Sequence, residues 1–182
     1  MKPLKFASIA FALIISYVCD AQSGYSLDTK ISLKGNSNWD YMQIDESTSR
    51  LFISHGDRAN VVDLNTNKEI AEIKNLKGAH HIILLSQFNK GFISNGNNNT
   101  VLVFDYKTLD SITTIKIKGE NPDPMCYDDF SKTLFVFCDN DLAVMINPAT
   151  DKISGQIKLK GSPEFPLPDG KGLIYNNLED KD

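Results

Sequence analysis

Residues 115–119 read "IKIKG", and the chain writes nearly the same phrase three more times: "ISLKG" at 31–35, "NLKG" at 75–78 and "IKLKG" at 157–161. The four glycines, Gly35, Gly78, Gly119 and Gly161, stand 43, 41 and 42 residues apart. A period of this length, held along most of the chain, is the signature of a repeat architecture.

Outward from each glycine, the repeats contain the same parts in the same order. A first strand opens as "NWDYMQI", "AHHIILL", "PDPMCY" or "PEFPLP". A turn follows ("DESTSR", "LSQFNK", "DDFSKT" and the shorter "DGKG"), then a second strand ("LFIS", "GFIS", "LFVF", "LIYN"). A third strand ("NVVDL", "VLVFDY", "AVMIN") and a further turn lead to a fourth strand that ends in the glycine phrase. Val, Ile and Phe dominate the strands, whose pleated, half-buried surface suits branched and aromatic side chains. Asn, Asp, Gly, Thr and Pro fill the gaps, where turns need positive φ or local side-chain hydrogen bonds. No segment beyond the N-terminus has a sustained helical period. The second and third strands are nearly continuous apolar runs, which predicts sheets covered on both faces. The expected fold is all-β: a β-propeller of four-stranded antiparallel blades, beginning near residues 36, 79, 120 and 162. A β-sandwich would leave the recurrence unexplained, and a parallel β-helix uses shorter repeats.

The passage "DESTSRLFISHGDRANVVDLNTNKEIAEI" resembles the YVTN-type β-propeller repeat family, which includes YncE-like secreted proteins. Asp45, Thr48, Arg50, Leu51, Phe52 and Ile53 match the first half of the repeat pattern; Asp63, Thr66 and Lys68 match the second. The third repeat matches through Asp128, Leu134, Phe135, Val136, Asn147, Thr150 and Lys152. Asp63, Asp105 and Asn147 recur 42 residues apart. The resemblance covers residues 25–182 and implies seven blades, of which this chain supplies about three and a half. The expectation is therefore the N-terminal part of a longer protein. Residues 25–35 read as a fourth strand without its first three. Remaining blades or self-association are expected to cover the open blade faces.

The N-terminus follows a different logic. Lys2 and Lys5 precede an apolar run from Phe6 to Val18, followed by "CDA". This is the layout of a signal peptide over residues 1–21, with the domain at 22–182 and a periplasmic or extracellular destination. A lipoprotein anchored through Cys19 is the other reading, although "SYV" lacks the small residue usual before such a cysteine. The run is short for a membrane span. Composition is that of a soluble globular protein, 41% hydrophobic and 23% charged, and the net charge of -4 gives no support for nucleic-acid binding. Cys126 and Cys138 lie on neighbouring strands, so either a disulfide or two buried thiols fits the sequence.

Catalytic motifs are missing: there is no G-x-S-x-G, H-E-x-x-H, P-loop, dinucleotide glycine pattern or C-x-x-C. No cofactor is expected. The triplet "NNT" at 98–100 fits a glycosylation sequon but sits in a hairpin turn, which explains it without a glycan. One constellation remains. Asp40, His80 and Asp123 each lie 11 residues before the aligned Leu51, Gly91 and Leu134, and Glu164 fits the same place in the shorter fourth repeat. First strands line the channel of a propeller, so these four are expected to ring one mouth of it. Such a ring is either a ligand or cation site or a set of groups that keep a wet channel solvated. His81 is expected on the face opposite His80. Trp39 reads as a binding platform or an anchor between blades; His55, Asp57 and Arg58 read as solvated loop.

The leading functional expectation is a non-catalytic binding module for a small molecule, peptide or protein, using the channel mouth. The alternative implied by the resemblance is an enzyme: a lactonase-like hydrolase acting through Asp40, His80, Asp123 and Glu164, or a cofactor-bearing redox propeller. A scaffold role is the third.

Overall fold

The computed structural model describes residues 24–181; the signal peptide expected at 1–21 and Cys19 lie outside them. Residues 24–30 belong to a separate unit and form no strand, while the chain from Ile31 onward is one compact unit. No α-helix occurs among the described residues, only two single 3-10 turns, Ser86–Phe88 and Gly96–Asn98.

The strands are β1 (Met42–Asp45), β2 (Arg50–Asp63), β3 (Lys68–Leu85), β4 (Lys90–Asn95), β5 (Thr100–Asp105), β6 (Ser111–Lys116), β7 (Pro122–Asp128), β8 (Thr133–Cys138), β9 (Leu142–Asn147), β10 (Lys152–Lys158), β11 (Leu167–Pro168) and β12 (Ile174–Tyr175). All pairings are antiparallel and join sequence neighbours. Two strands do double duty. The Leu64 N–H donates to the Ser49 carbonyl at 2.8 Å, so the ends of β2 meet and β2 folds back on itself near Gly56. β3 pairs its first half with the end of β2 and its second half with β4, so it carries the chain from the outer edge of one blade to the inner edge of the next. The result is three four-stranded blades: β1 to the first half of β3; the second half of β3 to β6; and β7 to β10. β11 and β12 form a small two-stranded sheet, extended by a Pro163–Leu178 bridge.

The hairpin turns repeat in backbone detail. Asn67, Leu109 and Asp151 all have positive φ between the third and fourth strands of their blades, 42 residues apart. Just before them, Asp63, Asp105 and Asn147 accept hydrogen bonds from backbone N–H groups two residues on, 2.7–2.9 Å. The recurring Asp is thus an Asx-turn residue.

Packing confirms that the blades stack face to face. Phe52, Val61 and Ile73 of the first blade meet Ile82, Ile93, Leu102 and Phe104 of the second. The alternate residues of the second blade, Phe92, Val101 and Val103, point the other way and meet Met125, Leu134, Val136 and Val144 of the third. The second blade is therefore covered on both faces, the reason its strands are continuous apolar runs. This is the stacking of a β-propeller. The same alternation separates the cysteines. Cys138 belongs to the layer between the second and third blades, Cys126 to the opposite face with Phe135 and Phe137; both are buried free thiols.

Two expectations are corrected. Residues 31–35 are not a strand; side chains of the first blade hold this segment instead. The Lys34 N–H donates to Glu69 Oε2 (3.2 Å), and Asn60 Nδ2 donates to the Lys34 carbonyl (3.1 Å). Nor is His55 solvated loop. It is buried at the end of the hairpin half-strand, with Nδ1 3.0 Å from Asn60 Oδ1. The glycine phrase explains why. The Gly35 backbone, at φ 119°, lies directly on the His55 ring, and any Cβ there would overlap it. At the next repeat glycines the neighbours are Asn97 and Cys138. Each glycine is thus the point where the chain enters a blade by crossing closely over that blade's second-to-third-strand turn. Arg58 is likewise paired, to Asp57 and Glu72, both at 2.8 Å.

Candidate functional site

The site lies at the inner edge, where each blade's first strand begins. Neither β3 nor β7 pairs regularly there. The β3–β4 register shifts between Ala79 and Ile82, and the β7–β8 register shifts at the equivalent place, between Pro122 and Met125. Such bulges re-aim side chains, and His80, His81, Asp123 and Pro124 are the residues within them. In the first blade, the Asp40 N–H donates to the Ser54 carbonyl (3.2 Å), which fixes Asp40 just ahead of β1.

The structure brings together three of the four expected residues by direct contact. Asp40 Oδ2 is 2.7 Å from His80 Nδ1, and Asp123 Oδ2 is 3.6 Å from the same nitrogen. One ligand atom from each lies within 4.8 Å of the others, although the residues come from three different blades. All three are partly exposed, with side chains 34%, 22% and 22% accessible for Asp40, His80 and Asp123. Glu164 supplies a third negative charge near enough to act on both Asp123 and Tyr41.

Three further residues hold this group in place, of which the sequence reading singled out His81 but not Ser94 or Tyr41. Ser94 Oγ donates to the Asp123 carbonyl at 2.7 Å and accepts from the His81 N–H at 2.9 Å, so one hydroxyl ties the second blade's bulge to the third's. His81 Nδ1 accepts from the Met125 N–H at 3.0 Å, and the Tyr41 ring stacks on His81, centroids 4.4 Å apart. Burial pushes the His81 imidazole down to about 4, so at neutral pH it is uncharged and can accept. His81 therefore faces the blade junction, away from the cluster. The usable signal was the repeat itself: Tyr41, His81 and Pro124 follow the three ring residues, and Ser54 and Ser94 share a position in the second strand.

The electrostatics are those of an under-compensated negative site. Burial, with Asp40, Glu164 and Asp139 adding to it, raises the Asp123 carboxyl to about 6 against the opposing pull of His80. Burial and the charges of Asp123, Glu164 and Asp40 push the Tyr41 hydroxyl up to about 12. Asp123 Oδ1 is shut off from solvent and has no hydrogen-bond partner. An open cleft of about 510 Å³ adjoins the cluster, lined by Asp40, His80, Trp39, Lys77 and Asn97 among others. Trp39 is 52% exposed and stacked on His55, centroids 3.6 Å apart, so it forms a wall of this cleft.

Comparison with known proteins supports the fold. Hydrazine synthase of Kuenenia stuttgartiensis superposes with a TM-score of 0.72 at 18% identity, over 85% of this chain and 46% of that one. The WD40 β-propeller domain of Doa1 superposes with a TM-score of 0.70 at 10% identity, over 81% and 50%. The chain thus spans about half the length of the solved structures it matches. No protein-family description and no curated protein sequence matches it.

Proposed function

We propose that this chain is an exported binding module of the YVTN type, non-catalytic, whose ligand is taken at the rim formed by Asp40, His80, Asp123 and Glu164. The carrying observation is the buried, unpartnered oxygen of Asp123 within a cluster of carboxylates that only one imidazole offsets. Buried polar groups in folded proteins are otherwise almost always hydrogen-bonded, so this oxygen marks a place where negative charge is in excess. The charge selects a cationic ligand or one rich in N–H donors, and the exposed Trp39 offers a flat apolar face beside it. The test is a thermal-shift panel of polyamines, basic peptides and divalent chlorides on the full chain and on His80→Ala. The reading expects at least one class to stabilise the wild-type chain and to lose its effect in the variant. Stabilisation that survives His80→Ala would contradict it.

A further inference from the structure

We infer that Asp40 Oδ2, His80 Nδ1 and Asp123 Oδ2 together form a coordination site for a divalent transition-metal ion, with zinc or manganese the best-matched class. This rests on the reading of the rim as a binding site and names what it binds.

The donor set comes first. One imidazole nitrogen and two carboxylate oxygens is a mixed hard and borderline set, suited to first-row divalent ions. Donors about 2.0–2.1 Å from a tetrahedral zinc lie roughly 3.3 Å from one another. The separations here, 2.7 and 3.6 Å to the imidazole, bracket that spacing, and one donor atom from each residue falls within 4.8 Å of the others. Little motion is needed to admit an ion.

Charge comes second. Asp40, Asp123 and Glu164 converge around the His80 imidazole, and among the described residues no lysine or arginine makes an ion pair with any of the three. Buried or half-buried carboxylates normally have such a partner or hold a metal. The orphan Asp123 Oδ1 is the local expression of that deficit.

Support around the ligands comes third. Metal-binding imidazoles and carboxylates are usually held by outer contacts. The Asp123 backbone is fixed by Ser94 and the adjoining Met125 N–H by His81. His80 Nε2, on the far side of the ring, faces the Gly96 backbone alongside Asn121 Oδ1; a Cβ on Gly96 would overlap Asn121 Oδ1 and crowd Nε2. An ion on Nδ1 requires the imidazole proton to sit on Nε2, the other ring nitrogen. The remaining coordination positions would open to the cleft, where water or a small ligand could complete the shell.

The experiment is calorimetric titration of the chelator-treated full chain with zinc chloride, and separately with manganese chloride, at pH 7.5. Wild type, His80→Ala, Asp123→Asn and, as a carboxylate control outside the three ligands, Glu179→Gln are compared, with circular dichroism verifying that each is folded. The expected result is one saturable site in wild type and Glu179→Gln, weakened more than about tenfold in both rim variants. Asp123→Asn keeps the shape of the side chain, so it remains informative if His80→Ala is poorly folded. Binding unaffected by the rim variants overturns the inference. So does the absence of binding by either ion. If the polyamines or basic peptides still bind in a His80-dependent way, the metal assignment falls and the rim reading stands; if nothing binds, both fall.

Discussion

Two ends of the same blades use ionisable side chains in opposite ways. At two of the outer turns a carboxylate is paired with a cation, and the pair also engages the neighbouring blade. Asp45 is buried and accepts from Ser47 (2.7 Å), Thr48, Arg50 (3.2 Å) and the Tyr106 hydroxyl of the next blade (2.6 Å). Arg50 also donates to the Tyr106 carbonyl (3.0 Å) and lies over its ring. At the equivalent position one blade on, Lys90 reaches into the third blade, to both oxygens of Asp151 (2.7 and 2.8 Å) and the Pro148 carbonyl (3.0 Å). At the inner rim, charges from neighbouring blades also meet, yet carboxylates outnumber cations and one oxygen has no partner. The outer set is a latch between blades. The inner set leaves part of its charge unmatched, which is what the proposed binding role would use.

The largest effect separating the two regions is expected at Asp45. Replacing it with Ala strands Arg50 at a blade junction and should cost about 3 kcal/mol in a denaturation experiment. Its pH dependence has a definite sign. Burial opposes ionisation, but the hydrogen bonds from Thr48, Tyr106, Ser47 and Arg50 outweigh it and hold the carboxyl far below its usual range. A depressed folded value means the contribution is complete above the unfolded pKa of about 4 and drains away as pH falls below it. Asp45→Asn should flatten that acid limb; an unchanged limb would break the latch account.

A steric prediction follows. A Cβ on Gly119 would overlap Cys138, so Gly119→Ala should cost about 2 kcal/mol through forced movement at the blade entry. Wild-type stability in this variant would show that the close approach is not what requires glycine there. Smaller again is Lys90→Met, which keeps the aliphatic stem but leaves Asp151 with no cation. A loss of about 1 kcal/mol is expected by the same measurement, against none if the pair is only a solvated surface contact.

The smallest effect lies at the rim and has the opposite sign to the latch. Asp123 titrates higher in the folded chain, about 6, than its ordinary 3.8. The unfolded chain therefore loses this proton first, so stability falls as pH rises between those two values and levels off above them. Asp123→Asn should remove that decline. A stability that instead rises across the same window and loses the rise in the variant would mean the Asp123 carboxylate is well satisfied.

How much of this was legible in the sequence depended on whether the repeat carried it. Strand order and the shared position of Asp40, His80 and Asp123 followed from the 42-residue period, because equivalent positions in stacked blades fall at one level. What failed depended on contacts the period does not encode. His55 reads as a polar turn residue, yet Gly35 closes over it. Residues 31–35 have strand composition, but strand character needs a partner ladder, and here side chains such as Asn60 and Glu69 stand in its place. The bulges that aim His80 and Asp123 leave no mark in a single sequence, since they depend on the register of the paired strand.

The central claim is that the latch holds the blades together while the rim is held ready for a ligand. It is tested most directly by one matched pair of denaturation curves on the metal-free chain at pH 7.5, Asp45→Asn beside Asp123→Asn. The account predicts a loss of about 2 kcal/mol or more for Asp45→Asn and no loss, or a small gain, for Asp123→Asn. Equal destabilisation by the two substitutions would contradict it.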